Sequence, residues 1–591
     1  MYPASSEPLA NSHWRADSSM HATETTIGDV LRSAAACAPD QAGLIFDDRQ
    51  WSYRELLSEA EDAARALLTS VSPGDVVAVW AENCPRWVAL EFAAGLAGLT
   101  LVPVSPAAGA DELVYVLAHS GARGIFIGSD RPDPPRVTIL RSVKGQLPSL
   151  RFVISLDEWD AFRAIGSLEL AESVTTLPSV DPDSTAQILY TSGTTGRPKA
   201  TLLTHRALTN NARLAARTAG GQDGDTIVNP LPLSSIAGCA LMTLGVAQLA
   251  GTHVLMREFD PALQLTLTEK HGGAMLCGTP AMLAVIAADP SFGSHDLRSV
   301  RVVTVGGGPF PPDLALKLET RLGVPVLTAL AQTESGGVIM TTSPDDTLAD
   351  RLGGAGRPLP GTEVKIADPR TGVTMPCGEI GEIRVRGYQV MRGYLDDPRS
   401  TATAVDSGGW LRTGDLGTMD TRGYCRVLGR VNELIVRGGQ CVYPREVESL
   451  LLEHPAVAEV AVVGVQDRFW GETVAAIVRL SSPVSAPAAE LTEFCRSHLT
   501  ADKVPVRWLF VDSLPRTPDG KVCKTALGAR LADASEPDWQ SWTNETPTAL
   551  AEVLGANEHD PVNLTGPLAE LLGLRVPQQT PRSKALEDID F

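Results

Sequence analysis

Between about residue 27 and residue 330 the chain alternates short apolar runs with amphipathic stretches, a pattern few folds accommodate. The runs "VVAVWA" (76–81), "LTLVPV" (99–104), "GIFIG" (124–128), "AQILY" (186–190) and "RVVTV" (301–305) have the length and composition of strands. Segments such as "YRELLSEAEDAARALL" (53–68) carry an apolar period of helical type. Strands and helices in turn predict α/β layers around largely parallel sheets. At 591 residues the chain is also too long for one hydrophobic core, so more than one domain is expected.

Past residue 360 the text changes to short strands and turns, "EVKIAD", "GEIRVRG" and "GYCRVLG", which predict an antiparallel sheet or small barrel. From about residue 433, "PREVESLLLEHP" and "AELTEFCRSHLT" are helical, whereas "VAEVAVVGV", "TVAAIVRL" and "VRWLFV" are strands. The expected fold class is therefore α/β. A large N-terminal domain (27–428) holds two layered sheets and a β-barrel-like subdomain, residues 429–432 form a hinge, and a small α+β domain covers 433–532. Residues 1–26 lack the basic start and apolar core of a signal peptide and read as a flexible tail, with Met20 a candidate start. Residues 533–591, rich in Pro, Asn and Glu, read as mostly disordered or loosely docked.

A net charge of −20 leaves no electrostatic footprint for nucleic acid, so anionic substrates must be met by local positive groups. The nine cysteines are scattered and form no CxxC pair, which predicts reduced thiols in a cytoplasmic protein. Nothing equips Cys239 or Cys441 as a nucleophile. Residues 226–256 contain no Asp, Glu, Lys or Arg, yet Pro230, Pro232 and several polar residues interrupt them. They are expected to form a buried helix lining a core or pocket, not a membrane span.

The chemistry concentrates first in "YTSGTTGRPKATLLTH" (190–205). An apolar strand delivers the chain to a turn in which Gly193 and Gly196 can expose successive backbone N–H groups. Such concavities bind phosphate, aided here by hydroxyls and Lys199. Arg197 and Pro198 separate Gly196 from the lysine, so this is not a Walker loop. By composition alone a flexible Gly/Thr linker remains an alternative. Its companions follow in order: "AQTES" (331–335), "GEIRVRGYQVMRGYLDDP" (381–398), "GWLRTGDLG" (409–417), "GRVNELIVRGGQCVYPREVE" (429–448) and "LPRTPDGKVCK" (514–524). Over about residues 27–532 this order resembles the adenylate-forming superfamily of acyl- and aryl-CoA ligases, luciferases and peptide-synthetase adenylation domains.

The resemblance implies activation of an acid by ATP, with Mg²⁺, as an acyl-adenylate with release of pyrophosphate, followed by transfer to CoA. Thr191, Ser192, Gly193, Thr194, Thr195, Gly196 and Lys199 would cradle the β- and γ-phosphates. Gln332 would line the nucleotide site, Thr333 would touch the α-phosphate, and Glu334 with Thr191 would hold Mg²⁺. Asp415 would take the ribose hydroxyls, with Arg430 beside it, and Gly306, Gly307 and Gly308 would let backbone lie against adenine and the acyl group. Lys521 would bridge the acid's carboxylate and the α-phosphate, so the C-terminal domain is expected to be mobile. Asn432 stands at the pivot. Arg437, Gly438 and Gly439 of "RGGQ" would line the CoA tunnel. Taken singly, Asp415 also reads as an Asx-turn residue, and Glu334 and Lys521 as surface charges.

Departures from the family pattern gather on the acid's side. Ser235 stands where many CoA ligases have His, Leu330 and Ala331 replace Tyr-Gly, Ala200 replaces Gly, and Gln466 stands where Pro is common. Ser234, Ser235, Ala237, Gly238 and Ala331 are small and predict a roomy or recontoured acid pocket, to which Gly306 also belongs. "LPLSSIAG" (231–238) lacks an Asp to pair with an α-ammonium, which argues against an α-amino acid. The expected substrate is a fatty or aryl acid and the expected acceptor CoA. An unusual acid of a natural-product pathway, passed to a carrier protein or an amine as in nitrite-dependent diazo formation, stays open. So does a catalytically inactive binding module, against which the intact Thr191, Glu334, Asp415 and Lys521 speak.

Overall fold

A computed structural model describes residues 8–17, 22–128, 136–167, 176–191, 198–481, 488–515, 522, 524, 527 and 540–541. These fall into two compact units, the first ending at Asn432 and the second beginning at Glu433. Among the described residues the first unit holds three sheets. One runs in the order Gly393–Tyr394, Lys199–Thr204, Thr185–Thr191, Thr100–Val104, Val76–Trp80, Gly124–Ile127, Phe152–Ser155. Its members from Thr185 onward in that order are parallel, whereas Lys199–Thr204 runs antiparallel to Thr185–Thr191. The second sheet is built on the parallel strands Val326–Gln332, Val302–Gly306, Met275–Gly278, Thr226–Asn229, Thr252–Leu255 and Ala42–Phe46.

Parallel strands covered on both faces need apolar residues throughout, and Thr100–Val104 is buried at every position. The intervening helices start on side-chain caps. Ser52 and Glu55 form a capping box at Tyr53–Leu68: the Glu55 amide donates to Ser52 Oγ at 3.3 Å and the Ser52 amide to Glu55 Oε2 at 2.7 Å. A cap of this kind stabilises by about 1 kcal/mol. The third sheet is the antiparallel one expected past residue 360, with Thr362–Ala367, Gly381–Gly387, Leu411–Met419 and Cys425–Arg430 in that order.

Two expectations need correction. The expected flexible tail is docked where it is described. His13–Trp14 pairs with Thr362–Ala367, and Trp14 lies so close over Gly423 that a Cβ there would sit 2.2 Å from its ring. An uncovered sheet edge offers unpaired backbone groups, and this segment satisfies them. Further on, the Thr23 amide donates to Asn210 Oδ1 at 2.8 Å. The uncharged run 226–256 is not one helix. It begins as the strand Thr226–Asn229 and ends as the strand Thr252–Leu255, with a π-helical Ala237–Leu244 and a short helix Gly245–Gln248 between. A fully buried strand and a buried helix share one composition, so apolar period alone does not separate them. Asn83 staples the two ends, donating to the Leu231 and Met256 carbonyls at 2.9 Å and accepting from the Leu233 amide at 2.8 Å.

The second unit is α+β. Val457–Asp467 and Gly471–Leu480 form a long hairpin, with Arg507–Phe510 parallel to its second strand. Helices Pro444–Leu452 and Ala488–His498 contribute Val447, Leu451, Leu491 and Cys495 to a core with Val462, Val474, Val478 and Trp508. Lys524 bridges Glu433 and Glu448 at 2.8 Å each. Burial disfavours its charge, but the Glu448 and Glu433 carboxylates outweigh that and raise its pKa.

Candidate active site

The hairpin Thr185–Thr191 and Lys199–Thr204 carries the first residues of interest, with Thr191 directly opposite Lys199 and Tyr190 opposite Ala200. Ala200 is 1 % exposed, and its methyl group belongs to an apolar cluster with Ile188, Val102 and Val104. Its φ is not positive, so the backbone does not require glycine there. Thr191 Oγ1 donates to Glu334 Oε1 at 3.3 Å, closing a sequence separation of 143 residues. Glu334 sits in the one-turn helix Thr333–Ser335 that follows Val326–Gln332. That turn is fixed by Ser335, whose hydroxyl bonds to the Gln332 and Gly337 carbonyls at 2.9 and 2.8 Å.

Tyr394 joins these groups and was not singled out from the sequence. Its hydroxyl donates to Glu334 Oε1 at 3.1 Å, and Lys199 Nζ lies 5.1 Å from the centre of its ring. Burial and then the Glu334 carboxylate push the phenol pKa up, so it remains a donor. The only signal was its place in "MRGYLDDP" (391–398), inside a motif already marked out. Thr191, Lys199, Glu334 and Tyr394 thus form one cluster of hydroxyls, a cation and a carboxylate.

A second array adjoins it through Gln332. The Gln332 amide donates to Asp415 Oδ2 at 2.8 Å and to the Thr413 carbonyl at 2.7 Å. Arg430, opposite Asp415 in the ladder, donates to Asp415 Oδ1 at 3.1 Å. Thr413 accepts from the Asp415 amide at 3.0 Å, and Gly414 between them takes φ +69°, which other residues adopt only with strain. Asp415 is therefore an aimed, buried carboxylate. Gly306 ends Val302–Gly306 opposite Ala329, and a Cβ on Gly307 would meet nothing within 4 Å. Gly308 is likewise open, its nearest neighbour Pro280 Cγ lying 3.6 Å from such a Cβ.

The expected acid-side residues divide. Ala331 sits at an irregularity in the ladder with Gly337–Thr341 and joins an apolar cluster with Leu241, Ala329 and Tyr388. Ser235 is engaged in a turn: its hydroxyl donates to the Pro232 carbonyl at 2.8 Å and accepts from the Gly238 amide at 3.3 Å. Gly238 does not enlarge a pocket. A Cβ there would fall 2.1 Å from the Pro232 carbonyl oxygen, so its smallness serves the turn. Cys239 is fully buried against Gln187, and burial first of all raises its thiol pKa, which fits an inert residue.

In the second unit, Gly438 and Gly439 connect Ile435–Arg437 to Gln440–Val442 as a two-residue hairpin, with φ of +56° and +84°. Two positive φ angles in such a loop define a turn that favours Gly-Gly. Trp470 covers Gly438, where a Cβ would sit 2.8 Å from its ring, and Arg437 lies 5.4 Å from the centre of that ring. Asn432 is an exposed residue of the turn Val431–Glu433, at the end of the first unit. Ser192, Gly193, Thr194, Thr195, Gly196 and Lys521 lie outside the described residues. Among the described residues no group of three or more His, Cys, Asp or Glu is arranged to hold a metal, and no helix is long and apolar enough to cross a membrane.

Residues 31–395 match the family model of the AMP-binding enzymes, and 446–521 match that of the AMP-binding enzyme C-terminal domain. The Bacillus subtilis protein YngI, named as an acyl-CoA synthetase, is 35% identical over 85% of this chain and 96% of its own length. A mitochondrial medium-chain acyl-CoA ligase of Mus musculus is 33% identical over 86% of this chain and 88% of its own. The o-succinylbenzoate CoA synthetase of Bacillus subtilis, solved with its acyl-adenylate intermediate, superposes with a TM-score of 0.74 at 30% identity, covering 87% of this chain and 100% of that one. The chain belongs to the AMP-binding enzyme family, as an ATP-using, adenylate-forming enzyme of the acid–CoA ligase type.

Proposed function

We propose that this enzyme joins an apolar carboxylic acid, of the fatty or aryl class, to CoA through an acyl-adenylate. The observation that carries the reading is the continuity of the two arrays. Gln332, which holds Asp415, lies two residues before Glu334, which Thr191 of the phosphate hairpin reaches. A nucleotide lying along them would meet the Asp415 carboxylate with its ribose hydroxyls and the Thr191–Lys199 end with its phosphates. Arg430 and Gln332 each donate to one oxygen of Asp415 and so hold its carboxylate oriented for two hydroxyl donors.

The acid's carboxylate oxygen attacks the α-phosphorus, the bond to pyrophosphate breaks, and an acyl-adenylate results. Negative charge builds on the phosphates, and Lys199, Lys521 and the hydroxyls of Thr191 and Thr333 are the groups that offset it. Mg²⁺ fits the donors present: one carboxylate and one hydroxyl, Glu334 and Thr191, suit a cation held mostly by substrate phosphates. Bound there, it would supply charge neutralisation on the phosphate oxygens. In the second step the CoA thiolate attacks the acyl carbonyl and AMP leaves. Arg437, Gly438 and Gly439 would border the thiol's path. The apolar cluster of Ala331, Ala329, Leu241 and Tyr388 supports an uncharged acyl group. The relatives give no support to a carrier protein or an amine as acceptor.

The test is a pyrophosphate-release screen over fatty and aryl acids with ATP and Mg²⁺, with and without CoA. Thioester and AMP in equal amounts, dependent on CoA, are expected. ATP turnover with no thioester in any member of the panel would overturn the reading.

A further inference from the structure

The helix Ala110–Ser120 has no assigned part in the chemistry, yet it holds both stems of the phosphate hairpin. Tyr115 and His119 are four residues apart and share one helix face. Their rings stack, with centres 5.2 Å apart and planes 9° from parallel. The Tyr115 hydroxyl donates to the Pro198 carbonyl at 2.9 Å. His119 Nδ1 lies 3.0 Å from the Tyr190 hydroxyl, which also reaches the Val116 carbonyl at 3.2 Å. The Tyr190 ring stands edge-on to both, with centres 5.9 Å from each.

The hydrogen-bond count fixes the direction of these contacts. A phenol has one proton, and a carbonyl can only accept. Both Tyr190 contacts are satisfied together only when Tyr190 donates to Val116 and His119 donates through Nδ1 to the phenol oxygen. A donor at Nδ1 exists in the imidazolium and in the Nδ1–H neutral form alike, so the contact does not depend on the ring's charge. Tyr190 immediately precedes Thr191, and Pro198 immediately precedes Lys199. The helix therefore grips the hairpin one residue before each of the two side chains that face Glu334 and Tyr394.

We propose that Tyr115 and His119 are positioning residues for ATP, setting the two strand ends so that Thr191 and Lys199 meet the phosphates. The proposal rests on the reading of those two residues as phosphate contacts. It attributes to the helix an effect on ATP that the acid does not share.

The experiment compares wild type with Tyr115→Phe, His119→Leu and His119→Asn, measuring KM for MgATP, KM for the acid, kcat and melting temperature. Tyr115→Phe and His119→Leu each raise KM for MgATP by about 3- to 10-fold, the scale of one lost hydrogen bond. KM for the acid and kcat at saturating MgATP stay within about twofold. Asn offers an N–H near the Nδ1 position, so His119→Asn restores the wild-type KM for MgATP. Unchanged KM for MgATP in Tyr115→Phe and His119→Leu overturns the proposal. So does a parallel loss in both KM values and in melting temperature that Asn does not restore, which would mark a general packing role. Where His119→Leu does not fold, Tyr115→Phe and His119→Asn decide alone: a rise in the first with none in the second supports the proposal, and any other pattern overturns it. Lys199→Ala separates the two levels. If it leaves KM for MgATP unchanged, the phosphate-loop reading fails; if it raises KM while the helix variants do not, only the positioning role fails.

Discussion

The Glu334 carboxylate accepts from two hydroxyls, Thr191 and Tyr394, and the second of these lies in a segment quoted from the sequence without a role. Removing one of the hydrogen bonds that orient this side chain loosens it, so Tyr394→Phe should slow acyl-adenylate formation about 10-fold. Acid-dependent pyrophosphate exchange measures this, and an unaltered rate would remove Tyr394 from the site. Two buried histidines give a stability prediction. Burial, the leading cause in each, lowers the pKa of His205 and of His253 from 6.5 to about 4. The unfolded chain then binds protons first as pH falls. The stability they contribute is whole above pH 6.5 and is lost progressively as pH falls through about 4. Urea unfolding between those limits should show a falling midpoint, and His253→Gln should flatten the slope. A midpoint that rises toward acid pH would contradict the buried-neutral assignment. Asp415 was legible because its neighbours "TGDLG" matched a pattern. Tyr394 was not, because its contacts exist only once Lys199 and Glu334 reach it from distant segments.

Elements were easiest to read where their periods differed. The helix Tyr53–Leu68 and the strands Val76–Trp80 and Thr100–Val104 all lie where the alternation placed them. The run 226–256 misled because burial on every side erases the difference between periods of 2 and 3.6. The N-terminal segment misled for the opposite reason: "NSHWRAD" (11–17) has little apolar content and gains order only by completing the edge at Thr362–Ala367. A chain starting at Met20 loses that pairing, the His13–Glu363 contact at 2.7 Å and the Trp14 cover over Gly423. Its melting temperature should fall by roughly 5 °C. An unchanged value in calorimetry would show that the docked segment adds nothing to stability.

At the scale of the whole molecule the chain divides at Asn432 into an α/β unit and an α+β unit, and the groups assigned to the reaction are shared between them. Thr191, Glu334, Asp415 and Arg430 belong to the first, and Arg437, Gly438 and Gly439 to the second. Lys521 carries the remaining assignment. Lys521→Ala should abolish acyl-adenylate formation and leave thioester formation from supplied acyl-adenylate largely intact. Equal loss in both half-reactions would count against a lysine dedicated to the first. The sequence by itself determined the kind of chemistry, because ordered motifs specify which residue types a nucleotide site needs. It also determined the fold class, because the alternation of apolar runs leaves few layer architectures. Only the tertiary structure decided which of those residues meet. Thr191 and Glu334 are 143 positions apart, and Gln332 and Asp415 are 83 apart. No local period encodes such pairs, since strand ends from different parts of the chain bring them together. The same holds for "YTSGTTGRPK" (190–199). Its letters support the proposal of a phosphate site, but the grip of Tyr115 and His119 on its two stems depends on a helix packed beside the hairpin.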